Sequence, residues 1–345
     1  MTTDRAVSVG RRKAPTIKDI AAEAGVSKSA VSRALLGQGE VSPHTRQRVE
    51  DAARTLGYVA NAMAAGLRSR TNTIGVVLRD ISRPYYGALF AAMQEQAEQR
   101  GYRLVTATSA GELDVASAIG VVKSLMSLQV DGVILASAQL DSEQILPVLQ
   151  RIPVVVAGRM ELGSNVPGVY CDDVDGGNSL ADVVFRAGHQ RVAVGVVDRS
   201  YSLSQHVRGE AMSSYLRGKG VDVVEIPLPD DRHMDEALTA VLADPTITAL
   251  MCPTDAAVLT VLEGLQRRGL DGDALSLTGY DGVGPLASPY LGFTTYRQPV
   301  EEIGARAIDL MVDAIRQPDD EDIPHVALRG EVVRGRTVAQ ASFDA

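Results

Sequence analysis

Apolar residues follow two rhythms along this chain. Over residues 16–36, TIKDIAAEAGVSKSAVSRALL, they recur at helical spacing in two short runs separated by a glycine, which predicts two helices joined by a tight turn. Thr16 caps the first helix with Asp19 in capping-box position, and Ser27 caps the second. Ala21 keeps the first helix thin, Gly25 takes a left-handed turn that a side chain would oppose, and Val31 plugs the seam between the helices. That is a helix-turn-helix, whose second helix enters the DNA major groove. Residues 37–40, GQGE, form a turn. A third helix then starts with Ser42 as cap and Pro43 in its first turn, buries Val49, Ala52, Ala53 and Leu56, and ends at Gly57. Residues 59–70, VANAMAAGLRSR, carry helix-forming alanines but are too short to be stable alone. They read as a linker or a conditional helix.

From Thr73 the rhythm changes to short apolar runs alternating with amphipathic stretches. One strand series is predicted at 73–78, 103–108, 132–137 and 153–158, a second at 191–197, 222–228, 249–253 and 275–280. Helical patterns lie at 86–100, 114–128, 142–150, 176–188, 205–219, 233–243 and 256–269. Strands too apolar to have a wet face, each followed by a helix, imply parallel sheets covered on both sides. Two series of equal size imply two doubly wound lobes, with ligand contacts at the carboxyl ends of the strands. A helix at 299–316 and a strand pair near 325–335 follow. The expected organisation is an arm at 1–14, an all-α headpiece at 15–58, a hinge at 59–71 and an α/β two-lobed domain at 72–345. Its N-lobe takes about 72–169 and 299–322, and its C-lobe about 170–298 and 323–337.

Charge sharpens this division. The chain of 345 residues has net charge −9, yet residues 1–70 hold 12 Lys and Arg against 6 Asp and Glu, and the remainder 22 against 37. A basic head on an acidic body fits a DNA-binding domain carried by a soluble partner domain. Arg11, Arg12 and Lys13 lie beside the first helix, where they reach phosphate or belong to a solvated tail. Two cysteines, Cys171 and Cys252, sit in apolar runs and read as core hydrophobes rather than a disulfide framework. The N-terminus lacks the apolar core of a signal peptide, and no apolar run is membrane length, so a cytoplasmic location away from any membrane is expected.

The residues also carry a resemblance that covers nearly the whole chain. TIKDIAAEAGVSKSAVSRAL followed by EVSPHTRQRVEDAARTLGYVANAMAAGL, without insertion through Leu67, resembles the headpiece and hinge of the LacI/GalR family of bacterial transcription regulators. The body is similar to that family's periplasmic-binding-protein-like effector domain, with GVVLRDISRPYYGALF, VDGVILA, VYCDDVDGG, AGHQRVAVG, TGYDG and FTTYRQPVEEIGARA in family order. The resemblance implies a homodimeric repressor of a double-stranded DNA operator, controlled by a sugar-like or nucleoside-like effector between the lobes. Corepressor-dependent repression and activation stay open within the family.

Lys28, Ser29 and Arg33 lie on the second helix away from Val31 and Leu35, and match family positions that read base edges. Arg33 suits a bidentate contact with guanine. Ser27, Ser32, Thr45 and Arg46 are candidates for phosphate contacts that set register, with Ser27 alternatively only a cap. By resemblance, Asn61 to Leu67 is the hinge helix, and Leu67 with its two-fold mate wedges into a central base step from the minor groove. Ala60 replaces the usual Pro there, and Gly66 lowers helix propensity. In the body, Tyr85 and Tyr86 match family aromatics that stack on the effector, with core packing the alternative for one of them. Asp281 and Asp255 match ligand-binding carboxylates, or serve as a cap or structural acceptor. Three positions depart from the family: His206 stands for an arginine, Thr254 for asparagine and Gly158 for aspartate. The expectation is a cleft with His206 and Thr254 in its wall that lacks one cation, one carboxamide and one carboxylate.

An enzyme on the α/β body is the first rival, but no Walker loop, GxGxxG after a strand, GxSxG elbow or metal-ligand cluster appears. No catalytic residue, metal or cofactor is therefore assigned. The second rival, a solute-binding protein, would have no use for a helix-turn-helix.

Overall fold

The computed structural model describes residues 15–36, 41–56, 71–108, 115–136, 152–161, 166–317 and 323–341. The chain divides into two compact units, Met1–Thr71 and Asn72–Ala345.

Among the described residues, the first unit has three helices: α1 (Ile17–Ala24), α2 (Lys28–Leu36) and α3 (Pro43–Leu56). Ile20, Val31 and Val49, one from each helix, have no exposed surface, and burial of such side chains contributes about 1.5–3 kcal/mol each. Asp19 accepts hydrogen bonds at 2.7 Å from both the N–H and the hydroxyl of Thr16. Gly25 takes φ +63°, and Val26 N–H closes the turn on the Ala21 carbonyl at 3.0 Å. Arg48 of α3 donates to the Ala24 carbonyl that this turn leaves open. Gly57, the segment 59–70 and the arm 1–14 lie outside the described residues.

The second unit holds two six-stranded sheets. In the N-lobe β1 (Thr73–Leu78), β2 (Arg103–Thr108), β3 (Gly132–Ala136), β4 (Val154–Ala157) and β5 (Gly168–Cys171) alternate with α4 (Pro84–Gln99) and α5 (Val115–Ser127). In the C-lobe come α6 (Asp173–Arg186), β6 (Arg191–Val197), α7 (Leu203–Gly218), β7 (Asp222–Leu228), α8 (Met234–Leu242), β8 (Ala249–Met251), α9 (Asp255–Arg267), β9 (Ser276–Asp281) and β10 (Thr294–Arg297). The chain then returns through α10 (Val300–Arg316), which packs on α4, and finishes with β11 (His325–Leu328) and β12 (Glu331–Val333). Every residue of β1, β3 and β4 is buried, whereas the edge strand β2 is half exposed. The two parallel, helix-covered sheets expected from the apolar runs are present.

Two corrections concern the last strands. The stretch 325–335 is not a pair within one lobe: β11 runs parallel to β5 in the N-lobe sheet, and β12 runs antiparallel to β10 in the C-lobe sheet. The C-lobe therefore does not include 323–328, and its sheet has one antiparallel edge. Strands β5 and β10 escaped the sequence reading; TTYR of β10 lacks an apolar run. The expected helix at 142–150 lies outside the described residues.

Candidate functional site

In the headpiece, Lys28, Ser29 and Arg33 are exposed and Ser32 is half-buried. Positions 28, 29, 32 and 33 share one side of α2, opposite Val31 and Ala34, which are in the core. The structure thus gathers four of the predicted DNA contacts on one face. Ser27 does act as a cap, its hydroxyl accepting from Ala30 N–H at 3.2 Å and lying 3.0 Å from the Ser29 hydroxyl. Thr45 accepts from the Ser42 hydroxyl at 2.9 Å, and Arg46 reaches the Ala34 carbonyl at 3.5 Å. Those two side chains tie α3 to itself and to the end of α2. Asn61 and Leu67 lie outside the described residues.

In the second unit the chain passes between lobes at three places: after β5, before α10 and between β11 and β12. The carboxyl ends of the strands face a cleft whose space of about 630 Å³ includes open solvent. Tyr85, Tyr86 and Gly158 line it from the N-lobe, and Thr254, Asp255 and Asp281 from the C-lobe. Pro84 opens α4 at its first position, which starts the helix at the cleft mouth and points both tyrosines inward. Their rings meet edge to face at 5.3 Å. Gly158 has φ +82°, and a Cβ there would come within 2.6 Å of the Tyr85 hydroxyl. The missing side chain makes the space that Tyr85 fills.

His206, expected in the cleft wall, is held by contacts within its own lobe. It is not among the residues lining the cleft. Its Nδ1 is hydrogen-bonded to the Val197 carbonyl at 2.8 Å, and its Nε2 lies 3.4 Å from Glu210. The cation expected to be missing is present two residues on. Arg208 lines the cleft although its side chain is only 5 % exposed. Its Nε donates to Asp173 Oδ1 at 3.1 Å, its Nη2 lies 2.9 Å from the same oxygen, and its Nη1 donates to the Pro253 carbonyl at 3.1 Å. The guanidinium lies 3.6 Å over the Tyr280 ring. Glycines let α6 and α7 approach closely enough for this: a Cβ at Gly177 would stand 2.7 Å from the Arg208 carbonyl. Ser204, Gln205 and Arg208 also line the cleft at i, i+1, i+4 spacing, which is the one signal in the sequence that could have found Arg208.

Thr254 lines the cleft and also caps α9, its hydroxyl accepting from Ala257 N–H at 3.2 Å, a role not anticipated for it. Asp255 is 1 % exposed; its Oδ2 accepts from Gly282 N–H at 2.8 Å, while Oδ1 makes no hydrogen bond among the described residues. Asp281, at φ +108°, accepts from Gln298 Nε2 at 2.8 Å and lies 3.6 Å from Arg208 Nη1. Burial pushes the Asp255 carboxyl up to about 7, with the charge of Asp281 adding to it. Burial likewise takes Asp281 up to about 6, against the pull of Arg208 and Gln298.

These two shifts set a pH dependence. The folded chain keeps both carboxyls protonated at pH values where the unfolded chain, near 3.8, has released them. Their stabilising contribution is fully present below the unfolded value and is lost as pH rises through about 6 and about 7. The melting temperature of the ligand-free protein is therefore expected to fall from pH 5 to pH 8, measured by scanning calorimetry. Asp255→Asn should flatten the fall; an unchanged slope in that variant would remove Asp255 as its source.

A second group of charges spans the lobes beside the cleft and was not anticipated. Arg83 reaches both carboxylate oxygens of Asp231, at 2.8 Å on Oδ1, and donates to the Tyr201 hydroxyl at 3.2 Å. Arg79 donates to the Tyr201 carbonyl at 3.1 Å and stacks 3.8 Å from its ring. The two arginines come from the turn after β1 and the cap of α4, while Tyr201 and Asp231 follow β6 and β7. Only the folded chain brings them together. Cys171 and Cys252 are free and buried, as expected of core residues, and burial pushes the Cys171 thiol up to about 12. Among the described residues no group of His, Cys, Asp and Glu is arranged to hold a metal ion, and no helix is long and apolar enough to cross a membrane.

The comparisons with known proteins agree with this arrangement. Residues 16–61 match the bacterial regulatory proteins of the lacI family, and residues 71–330 match the family of periplasmic binding proteins and sugar binding domain of the LacI family. Among curated relatives, the maltose regulon regulatory protein MalI of Escherichia coli is 30% identical over 87% of this chain and 92% of its own length. Catabolite control protein A of Priestia megaterium is 29% identical over 86% of this chain and 91% of its own. Of solved structures, the lac repressor dimer bound to operator and an anti-inducer aligns with TM-score 0.78 at 24% identity, covering 95% of this chain and 100% of that one. The two family matches cover the headpiece and the two-lobed body, and the chain belongs to the LacI family of DNA-binding transcriptional regulators.

Proposed function

We propose that this regulator is a repressor that binds a pseudo-palindromic operator as a homodimer and is controlled by a small molecule held between its lobes. The observation that carries the reading is the exposed face of Lys28, Ser29, Ser32 and Arg33 on a helix-turn-helix, in one chain with a cleft lined from two lobes. The protein acts by binding and not by catalysis. Arg33 reads a base edge, Lys28 and Ser29 contact base or phosphate, and Ser27, Ser32, Thr45 and Arg46 fix register on the backbone. Leu67 wedges into the central step, where the hinge segments of two protomers meet. The protein works in the cytoplasm, on the nucleoid.

Control follows from linkage. The effector binds two arrangements of the lobes unequally, and that difference is the most it can shift operator affinity. The Arg83–Asp231 and Arg79–Tyr201 contacts bridge the lobes at the cleft, so a change of lobe angle must lengthen or break them. Whether an effector releases or reinforces operator binding separates an inducible repressor from a corepressor-dependent one, and a gel-shift titration reads it directly.

The test of the DNA reading is a binding-site selection with the wild type and Arg33→Ala. The variant is expected to lose preference at one symmetric base pair, with affinity for the best site down by about 1–3 kcal/mol. A base profile identical to wild type would remove Arg33 from the readout.

A further inference from the structure

We infer that the cleft takes a small hydroxylated molecule bearing a protonated amine, with the Asp281 carboxylate as the cation's partner, and that it discriminates against phosphorylated or acidic analogues. This rests on the reading of the cleft as the effector site and narrows the class of effector.

The cations of the cleft are already engaged. Arg83 holds Asp231 through two oxygens and has Asp80 3.6 Å away. Arg208 is held by Asp173 and the Pro253 carbonyl and is stacked on Tyr280. Among the described residues, a phosphate or carboxylate entering here would meet no spare cation and would face Asp255 and Asp281, the two acidic residues of that lining. Burying an anion in such a place is costly.

The open carboxylate and amide oxygens of the cleft accept hydrogen bonds, while the open hydroxyls of Tyr85 and Ser204 can accept or donate. Asp281, with 19 % of its side chain exposed, gives one oxygen to Gln298 and has its second free of hydrogen bonds among the described residues. Gln205 donates its amide N–H to Asp231 at 3.3 Å, which leaves its buried Oε1 without a donor. The Tyr85 hydroxyl, fully buried against Gly158, also has no partner among the described residues. Buried polar atoms left open are completed by what binds. An ammonium group offers three donors and no acceptor, and neighbouring hydroxyls supply the rest. The tyrosine rings at the mouth give such a cation a further favourable face.

The groups around Asp281 fix the sign of the pH effect. Arg208 of α7, Gln298 before α10, Asp255 of α9, Asp231 after β7, Arg83, Tyr85 and Tyr86 of the N-lobe and Asp173 of α6 all face it or its immediate neighbours. A bound cation favours the ionised carboxylates, so binding releases protons, and affinity for an amine falls as pH drops below the range in which Asp255 and Asp281 ionise. An acidic ligand would show the opposite slope.

Isothermal titration of the full chain with matched probes tests this: hexoses, their 2-amino-2-deoxy and 6-phosphate forms, and alditols with their 1-amino-1-deoxy forms. In at least one set the amine is expected to bind about tenfold more tightly than its hydroxyl analogue, corresponding to roughly one pKa unit of coupling. The phosphate should not bind, and amine affinity should drop between pH 7.5 and 5.5. Asp281→Asn, which keeps a residue type suited to the positive φ, should abolish the preference of the amine over its hydroxyl analogue. Neutral or phosphorylated members binding at least as tightly as the amine in every set, or an amine preference that survives Asp281→Asn, would overturn the inference and leave the effector reading standing. If no member of any set binds, both fall.

Discussion

Exchanging Arg208 for methionine is expected to cost the effector domain about 3–5 kcal/mol, the usual consequence of removing one partner of a buried ion pair. The side chain of Asp173 is 4 % exposed, and burial already pushes its carboxyl upward against the pull of Arg208. Without the guanidinium, Asp173 stays buried with a charge it cannot share, or takes up a proton. Asp281 loses its neighbouring cation as well, and the stack on Tyr280 disappears. Methionine keeps an unbranched stem, so packing against Tyr280 changes less than charge does. Urea unfolding followed by circular dichroism measures the loss. Adding Asp173→Asn to the Arg208→Met chain should recover much of it, because the orphaned charge is then gone. A loss below about 1 kcal/mol in the single variant would mean that solvent reaches the pair and screens it.

The second large effect belongs to the headpiece. Raising the salt concentration from 50 to 200 mM is expected to weaken operator binding by about a thousandfold, if a dimer neutralises on the order of six phosphates. The basis is the charge reversal along the chain: 12 basic against 6 acidic residues up to position 70, on a protein of net charge −9. The acidic body opposes non-specific adhesion to DNA, so the salt slope reports the headpiece. Fluorescence anisotropy with a labelled operator at four or five salt concentrations gives the slope. Arg33→Ala should shift the whole line; a slope near zero would contradict phosphate-dominated binding.

The three headpiece helices were legible in the sequence. Their instructions are local: a capping pair three residues apart, a glycine at the one position needing a left-handed turn, and apolar residues at helical spacing. Each is satisfied within a few residues of itself, as Asp19 on Thr16 and Ser27 on Ala30 show. The same holds for the central strands, whose continuous apolar runs match their complete burial. Short edge strands were not legible. Nothing in HVALRGEVV says that its halves pair in different lobes, because pairing in a sheet is chosen by the partner strand and not by the strand's own residues.

In the cleft the division is sharper. Tyr85, Tyr86, Thr254, Asp255 and Asp281, which the family resemblance named, line the cleft. His206 was placed in the wall and Arg208 overlooked, since on a helix two residues turn a side chain by more than half a revolution. The sequence determined by itself that there would be a basic three-helix head and an acidic two-lobed body with a cleft between sheets. Periodicity, caps and charge distribution are enough for that. Which charges meet was decided only by tertiary structure. The pairs Arg208–Asp173 and Arg83–Asp231 are separated by 35 and 148 residues, and the energy of a charge depends on distance and burial. Among the described residues, those pairings leave the cleft with open oxygens and both of its arginines paired.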